Sequence, residues 1–287
     1  MASTKAKGAR PFLKWAGGKR GLLDKILPFF PETIRTYYEP FFGGGALFFH
    51  LATEQRFEHA VLNDVNPDLI TTYKIVRDFP DELVRGLQGL TVDKDTYMML
   101  RGYDPEDLDP VARAIRFIYL NKTCFNGLWR VNKQGKFNVP YGDPKGERWV
   151  QKPPLVYKEE TIHACSRELN RWAQIHLGDF WEICEWPRPG DLVYFDPPYV
   201  PLSPTSNFSD GYTQGGFTLD DQSRLVAACR RLVERGVTVV ASNSDCELVR
   251  RLYAGFELHE IQARRAINSK GDRRGPVGEL VIVGRPE

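Results

Sequence analysis

Short apolar strands alternate with helical patterns over most of the chain, and this alternation restricts the fold more than any other feature. Segments 36–41, 59–64, 174–180, 191–199, 237–244 and 278–283 read as buried or half-buried strands, whereas 44–53, 66–79 and 219–236 carry apolar residues at helical spacing. In the last of these, Leu219, Asp220 and Asp221 open the helix and Gly236 stops it. Such alternation predicts a mostly parallel, doubly wound α/β sheet.

From roughly residue 81 to 158 the pattern changes. It is helical at first (81–90 and 109–122), then rich in loops, with Asn126-Gly127, Gln134-Gly135 and many prolines. Residues 126–140 read as a β-hairpin with its turn at Lys133 to Gly135. Charge is concentrated in the same region: residues 112–152 hold nine Lys/Arg against Asp143 and Glu147, a local +7 in a chain whose formal net charge is only +2. That asymmetry suits a polyanion-binding module set into a mildly acidic body, or else a solvated basic surface. At 287 residues the chain is longer than one average domain, so a core with an inserted module is in keeping.

With 42% hydrophobic and 26% charged residues, there is apolar material for a full core and no signature of disorder. The five cysteines form no C-x-x-C pair and the histidines no H-E-x-x-H, so neither a disulfide framework nor a metal site is expected. The basic N-terminal decapeptide precedes no long apolar run, and no 18-residue apolar stretch occurs. Neither a signal peptide nor a membrane span is expected, and the cytoplasm is the expected location.

Three segments carry chemistry. Glu39-Pro40-Phe41-Phe42-Gly43-Gly44-Gly45-Ala46 follows a strand and opens a helix. Glycines in such a turn let a ligand approach the backbone, and the helix N-terminus favours negative charge; alternatively the glycines serve only tight packing. Asp64, at the end of the next strand, suits the paired hydroxyls of a ribose. In residues 12–20, Lys14, Trp15 and Lys19 surround Gly17-Gly18 without the spacing or terminal Ser/Thr of a Walker A loop. This segment is a cationic flank for a carboxylate-bearing ligand or a solvated basic tail. The third segment, Asp196-Pro197-Pro198-Tyr199, ends the apolar strand at Phe195. Prolines have no N–H, so this turn offers acceptors only, the Asp196 carboxylate and the Pro197 carbonyl. A base amino group held by both would aim its nitrogen lone pair at a methyl donor, with the Tyr199 ring as a stacking surface. A rigid turn ending a strand explains the prolines but not the acid and the aromatic together.

At these residues the chain resembles the Dam family of DNA adenine-N6 methyltransferases, in the group ordered as glycine motif, target-recognition region, then DPPY. The likeness runs through FLKWAGGK, EPFFGGGA, LND, YLNKTCFNGLWRVNKQGKFNVPYG, LGDF and DPPY. It implies a Rossmann-like methyltransferase sheet binding S-adenosyl-L-methionine, with a mainly helical plus β-hairpin target-recognition domain at 76–159 interrupting a catalytic domain of 1–75 and 160–287. It also implies that Trp15 and Lys19 contact the methionine part of the cofactor and that the turn with Glu39, Pro40, Phe41, Gly43 and Gly45 shapes that pocket. Asp64 would bind the ribose, Asp179 and Phe180 would meet the adenine, and Asp196 would border both cofactor and target base. For Trp15 and Phe180, core packing is the competing role. Family members with NGLxRxNxxGxFNVPxG commonly recognise GATC, which puts Asn126, Leu128, Arg130 and Pro140 at positions implied to contact double-stranded DNA. Arginine can bind guanine bidentately, while Lys14, Lys133 and Lys136 would hold phosphates. The match weakens after Gly142. Arg264-Arg265 through Lys270, Arg273 and Arg274 form a second basic segment, either a backbone clamp or a charged hairpin.

The activity so implied is methyl transfer to N6 of a flipped adenine, without metal or covalent intermediate. Alternatives are methylation of cytosine N4, RNA or protein amide nitrogen, or a catalytically silent DNA-binding regulator; a dinucleotide oxidoreductase would need a G-x-G-x-x-G turn that is missing. A chain holding both catalytic core and reader is expected to act as a monomer without an obligate protein partner.

Overall fold

One seven-stranded sheet organises the molecule. Its strands are Ile34–Glu39 (β1), Phe57–Asp64 (β2), Ala173–Leu177 (β3), Leu192–Phe195 (β4), Thr238–Ser244 (β5), Glu257–Arg264 (β6) and Pro276–Gly284 (β7), in the order β3-β2-β1-β4-β5-β7-β6. The computed structural model describes residues 8–145, 147, 149, 152–201, 216–264 and 276–286, apart from the side chains of 263, 264, 276 and 277. The second basic segment, from Arg265 to Arg274, therefore lies outside the described residues, as does the Arg264 side chain.

Strands β1 to β5 are parallel, and β7 runs antiparallel between β5 and β6. Chain order reverses between β1 and β4, which pair through Tyr37–Leu192 and Tyr38–Val193. At such a switch point, loops leave the strand ends in opposite directions and open a crevice for a ligand. This is the Rossmann-like α/β methyltransferase sheet expected from the alternation and the family motifs.

The helices are Leu23–Ile26 (α1), Ala46–Thr53 (α2), Pro67–Asp78 (α3), Pro80–Gln88 (α4), Lys94–Gly102 (α5), Pro110–Thr123 (α6), Glu159–Trp172 (α7), Phe180–Ile183 (α8), Leu219–Glu234 (α9) and Glu247–Leu252 (α10). Short polar side chains start them by accepting backbone N–H groups that have no partner within the helix: Asn66 from Leu69 for α3, Asp93 from Thr96 for α5, and Asp109 from Val111 and Ala112 for α6. Helix α9 begins with a reciprocal capping box between Thr218 and Asp221, and Gly236 follows its end at φ +81°.

Apolar side chains cover both sheet faces. One layer, with α9 and α10, packs Leu225, Cys229 and Val249 against Val193, Phe195 and Ile282. The other joins Tyr37, Leu62 and Tyr194 to Phe48 and Tyr73, and continues without a break into Leu83, Tyr97, Phe117, Trp129 and Val139 of the middle segment. That segment thus shares the core of the sheet. The anticipated hairpin is present in short form, with a Val131–Phe137 bridge and Gly135 at φ +75° in its turn.

Strand limits differ from the reading for physical reasons. Strand β1 stops at Glu39 because Pro40 cannot donate to a ladder, and β4 stops at Phe195 before the two prolines. Strand β3 ends at Leu177, and Asp179 then caps α8 by accepting from Trp181 N–H. Strand β6 has no counterpart among the apolar runs of the sequence.

Candidate active site

The C-terminal ends of β1, β2 and β4 open into a cavity of about 980 Å³. Trp15, Lys19, Glu39, Pro40, Phe41, Gly43, Gly45, Asp64, Asp179, Phe180 and Asp196 to Tyr199 all line it, so every residue expected at the cofactor or the chemistry lies around one space. Lys136 also lines it, as the tip of the hairpin reaches its rim with Gln134 and Gly135. The remaining expected DNA contacts lie outside: Lys14, Asn126, Arg130, Lys133 and Pro140 are exposed, and Leu128 is half-buried against the core.

At the centre, Lys19 Nζ lies 2.6 Å from Asp196 Oδ1 and 4.9 Å from the centre of the Tyr199 ring. Lys19 is buried, and its ammonium also donates to the Gly17 carbonyl at 2.7 Å. An amine nitrogen is thus already held between a carboxylate and an aromatic face. Burial pushes the Asp196 carboxyl above the usual carboxylate range, and the Lys19 charge opposes this. Glu39 is fully enclosed, so burial drives it well above its ordinary value despite the bond it accepts from Tyr37 Oη at 3.0 Å.

Four residues to which the sequence assigned no individual role hold these loops. Buried Gln222 donates to the Pro198 carbonyl at 2.8 Å, and Asn243 accepts from Val200 N–H at 3.0 Å while donating to Gln222 at 3.2 Å. Tyr199 Oη donates to Glu279 Oε2 at 2.9 Å. Asn121 of α6 grips the backbone of Lys14 from both sides, accepting from its N–H at 2.8 Å and donating to its carbonyl at 2.7 Å. Trp15 leans on Phe117 of the same helix, with ring centres 6.2 Å apart.

The glycine turn is shaped by that tryptophan. A Cβ on Gly43, at φ +48°, would lie 2.8 Å from the Trp15 ring, and one on Gly44 would lie 3.0 Å from Trp15 Cβ. Gly43 N–H donates to Asp64 Oδ2 and Asn66 N–H to Oδ1, both at 3.0 Å, which fixes the carboxylate at the cavity edge. Opposite, Phe41 stacks on Phe180 at 5.2 Å and meets Phe217 edge-on at 5.6 Å. Asp179 is paired with Arg224 at 2.8 Å, and the guanidinium also covers the Phe180 ring at 5.1 Å.

The model of the D12 class N6 adenine-specific DNA methyltransferases matches residues 15–267, from Trp15 through the glycine turn and DPPY. The chain belongs to this family. A Type II methyltransferase of Lactococcus lactis subsp. cremoris is 41% identical over 280 residues, covering 95% of this chain and 94% of that protein. One from Methanocaldococcus jannaschii is 40% identical, over 96% and 98% of the two chains. The DNA adenine methylase of Escherichia coli is 37% identical, over 98% and 97%. The enzyme is an adenine-specific DNA methyltransferase, and its methyl donor is S-adenosyl-L-methionine. No helix among the described residues is long and apolar enough to cross a membrane.

Proposed function

We propose that the enzyme methylates N6 of the adenine in GATC, with Asp196, Pro197, Pro198 and Tyr199 as its catalytic turn and residues 76–159 as its DNA reader. The observation that carries the catalytic part is the Lys19 ammonium held between Asp196 and Tyr199, because that position suits any amine presented to an acceptor and an aromatic wall. The Pro198 carbonyl is occupied by Gln222, so an incoming adenine amine is offered the Asp196 carboxylate and the Pro197 carbonyl. An adenine stacked in a duplex cannot reach this depth and must be flipped out. On arrival it displaces the Lys19 ammonium, stacks on Tyr199, and has its lone pair turned away from the ring system by the two acceptors. Asp196 then stabilises the positive charge that grows on N6.

The cavity, about 980 Å³, is at the upper end of the range for small-molecule sites, which suits a cofactor together with a base. Trp15 and the glycine turn would hold the methionine part. Asp64, oriented at the cavity edge by the N–H groups of Gly43 and Asn66, would accept from the ribose hydroxyls. Phe180 and Asp179 would take the adenine. When bound, S-adenosyl-L-methionine supplies an electrophilic methyl group on sulfur.

For specificity, Arg130 would read guanine, Asn126, Leu128 and Pro140 would approach base edges, and Lys14, Lys133 and Lys136 would neutralise phosphates. Lys14 lies against Gly127, whose added Cβ would be 2.6 Å from its side chain, so the cofactor loop and the reader touch. The same reading has the enzyme acting in the cytoplasm as a monomer. The likeness to two Type II methyltransferases, at 41% and 40%, favours a second reading in which a different short site is methylated. Transfer of labelled methyl groups into duplexes with GATC, against duplexes with the A or the G replaced, separates the two. Label confined to N6-methyladenine in GATC supports the first. Label at adenine elsewhere retains the mechanism and discards the role given to Arg130.

A further inference from the structure

We propose that Glu279 is a positioning residue that sets the Tyr199 ring for the target base; this rests on reading Tyr199 as the stacking surface. Glu279 lies on β7 opposite Ser244 of β5, and the two side chains bond successive residues of the catalytic turn: Glu279 accepts from Tyr199 Oη at 2.9 Å, and Ser244 Oγ donates to the Val200 carbonyl. Glu279 is an acid on an otherwise apolar strand, with Leu280, Val281, Ile282 and Val283 all buried, and it lines the same cavity as Asp196 and Tyr199.

A tyrosine ring turns about two side-chain torsions, and the backbone bonds from Gln222 and Asn243 restrain neither of them. The bond to Glu279 anchors the far end of the ring, leaving the face near Lys19 turned to the space an incoming base enters. Burial, with Asp196 and Glu279 adding to it, pushes the Tyr199 phenol well above its ordinary value, which keeps it a neutral donor.

The experiment uses the full-length enzyme and a duplex carrying 2-aminopurine at the target adenine, whose fluorescence rises when the base leaves the stack. Single-turnover methyl transfer is measured on the matching adenine duplex. Glu279→Ala should slow transfer roughly tenfold to a hundredfold, the range for losing a hydrogen bond to a charged group, and should lower the 2-aminopurine signal while leaving cofactor affinity unchanged. Glu279→Gln, which retains an acceptor oxygen, should restore most of both. Glu279→Met provides the same loss with less change of volume should the alanine variant fail to fold. In a Tyr199→Phe background, Glu279→Met should add less than about twofold, since the two residues act through one bond. If it costs as much there as in the parent, Glu279 acts on the substrate directly and the proposal is wrong. If Tyr199→Ala abolishes the signal while both Glu279→Ala and Glu279→Met leave it intact, the proposal alone fails. If Tyr199→Ala leaves the signal unchanged, the stacking role of Tyr199 fails and takes the proposal with it.

Discussion

Replacing Asn121 with leucine should loosen the loop that carries Trp15 and Lys19. Asn121 is fully buried in α6 and is 107 residues from Lys14 in the chain, yet it satisfies both the N–H and the carbonyl of that residue at 2.8 and 2.7 Å. Leucine has nearly the same shape, so little cavity forms and the cost is that of two backbone groups left without partners. Each such group costs about 1–3 kcal/mol when buried. Both bonds are only partly buried, so water recovers some of this and the pair should cost about 2–4 kcal/mol. Against a total stability of about 5–15 kcal/mol, that destabilises without unfolding. At roughly 2–4 °C per kcal/mol, thermal unfolding should begin several degrees lower. Denaturant titration gives the free energy, and titration with S-adenosylhomocysteine at a temperature where both proteins are folded gives the functional part. Binding should weaken, because Trp15 follows directly on Lys14 and Lys19 is only five residues away. Unchanged stability together with unchanged affinity would refute the reasoning and leave the loop held by the packing of Trp15 on Phe117 alone.

Because burial raises the Asp196 carboxyl and only its ionised form accepts both the amine hydrogen and the growing charge, methyl transfer should fall on acidification at a pH above the usual carboxylate range. Lys19→Met removes the charge that opposes this shift, so the acid limb of a single-turnover pH profile should move to higher pH; an unmoved or lowered limb would contradict the assignment. Gly43→Ala drives a Cβ to 2.8 Å from the Trp15 ring at φ +48°, and should cost about 1–3 kcal/mol in a denaturation curve, with weaker cofactor binding. Arg130→Ala should lose about 1–3 kcal/mol of discrimination at one base pair of the site, whereas Lys133→Ala should weaken binding to all duplexes alike and lower the salt slope by about 1. Competition binding at several salt concentrations separates these two effects.

The parts legible in the sequence are those whose physics is local. A strand buried on both faces is a run of apolar residues, so β1, β2, β4, β5 and β7 could be read directly, and DPPY states its chemistry within four adjacent residues. β6 escaped because it intersperses Leu258 and Ile261 with His259, Glu260 and Gln262, which leaves no apolar run. The glycine turn allowed two readings, ligand approach or packing, and the contacts of Gly43 and Gly44 establish a packing requirement set by Trp15. Trp15 in turn both packs on Phe117 and lines the cavity, so its two candidate roles do not compete.

What stayed illegible is the support of the site. Gln222, Asn243, Glu279 and Asn121 lie 24, 43, 80 and 107 residues from the backbone or side chain they hold. Each acts through hydrogen bonds that exist only once the chain has folded, and although Asn121 falls within the quoted central segment, no period or spacing points to the partner it holds. Yet the DPPY turn cannot hold itself: Pro197 and Pro198 have no N–H to donate, so the turn is secured through its carbonyls, the N–H of Val200 and the phenol of Tyr199. The lack of donors that makes DPPY suited to receive an amine is therefore the reason its anchors must come from α9, β5 and β7. Strands β5 and β7, with α9 packed against them, lie between β4 and the edge formed by β6, whereas the glycine turn and Asp64 lie at the ends of β1 and β2 on the other side of β4. The DPPY turn is thus held mainly from one half of the sheet and the glycine turn from the other, and Lys19, bonded to Asp196 from the N-terminal loop, links the two.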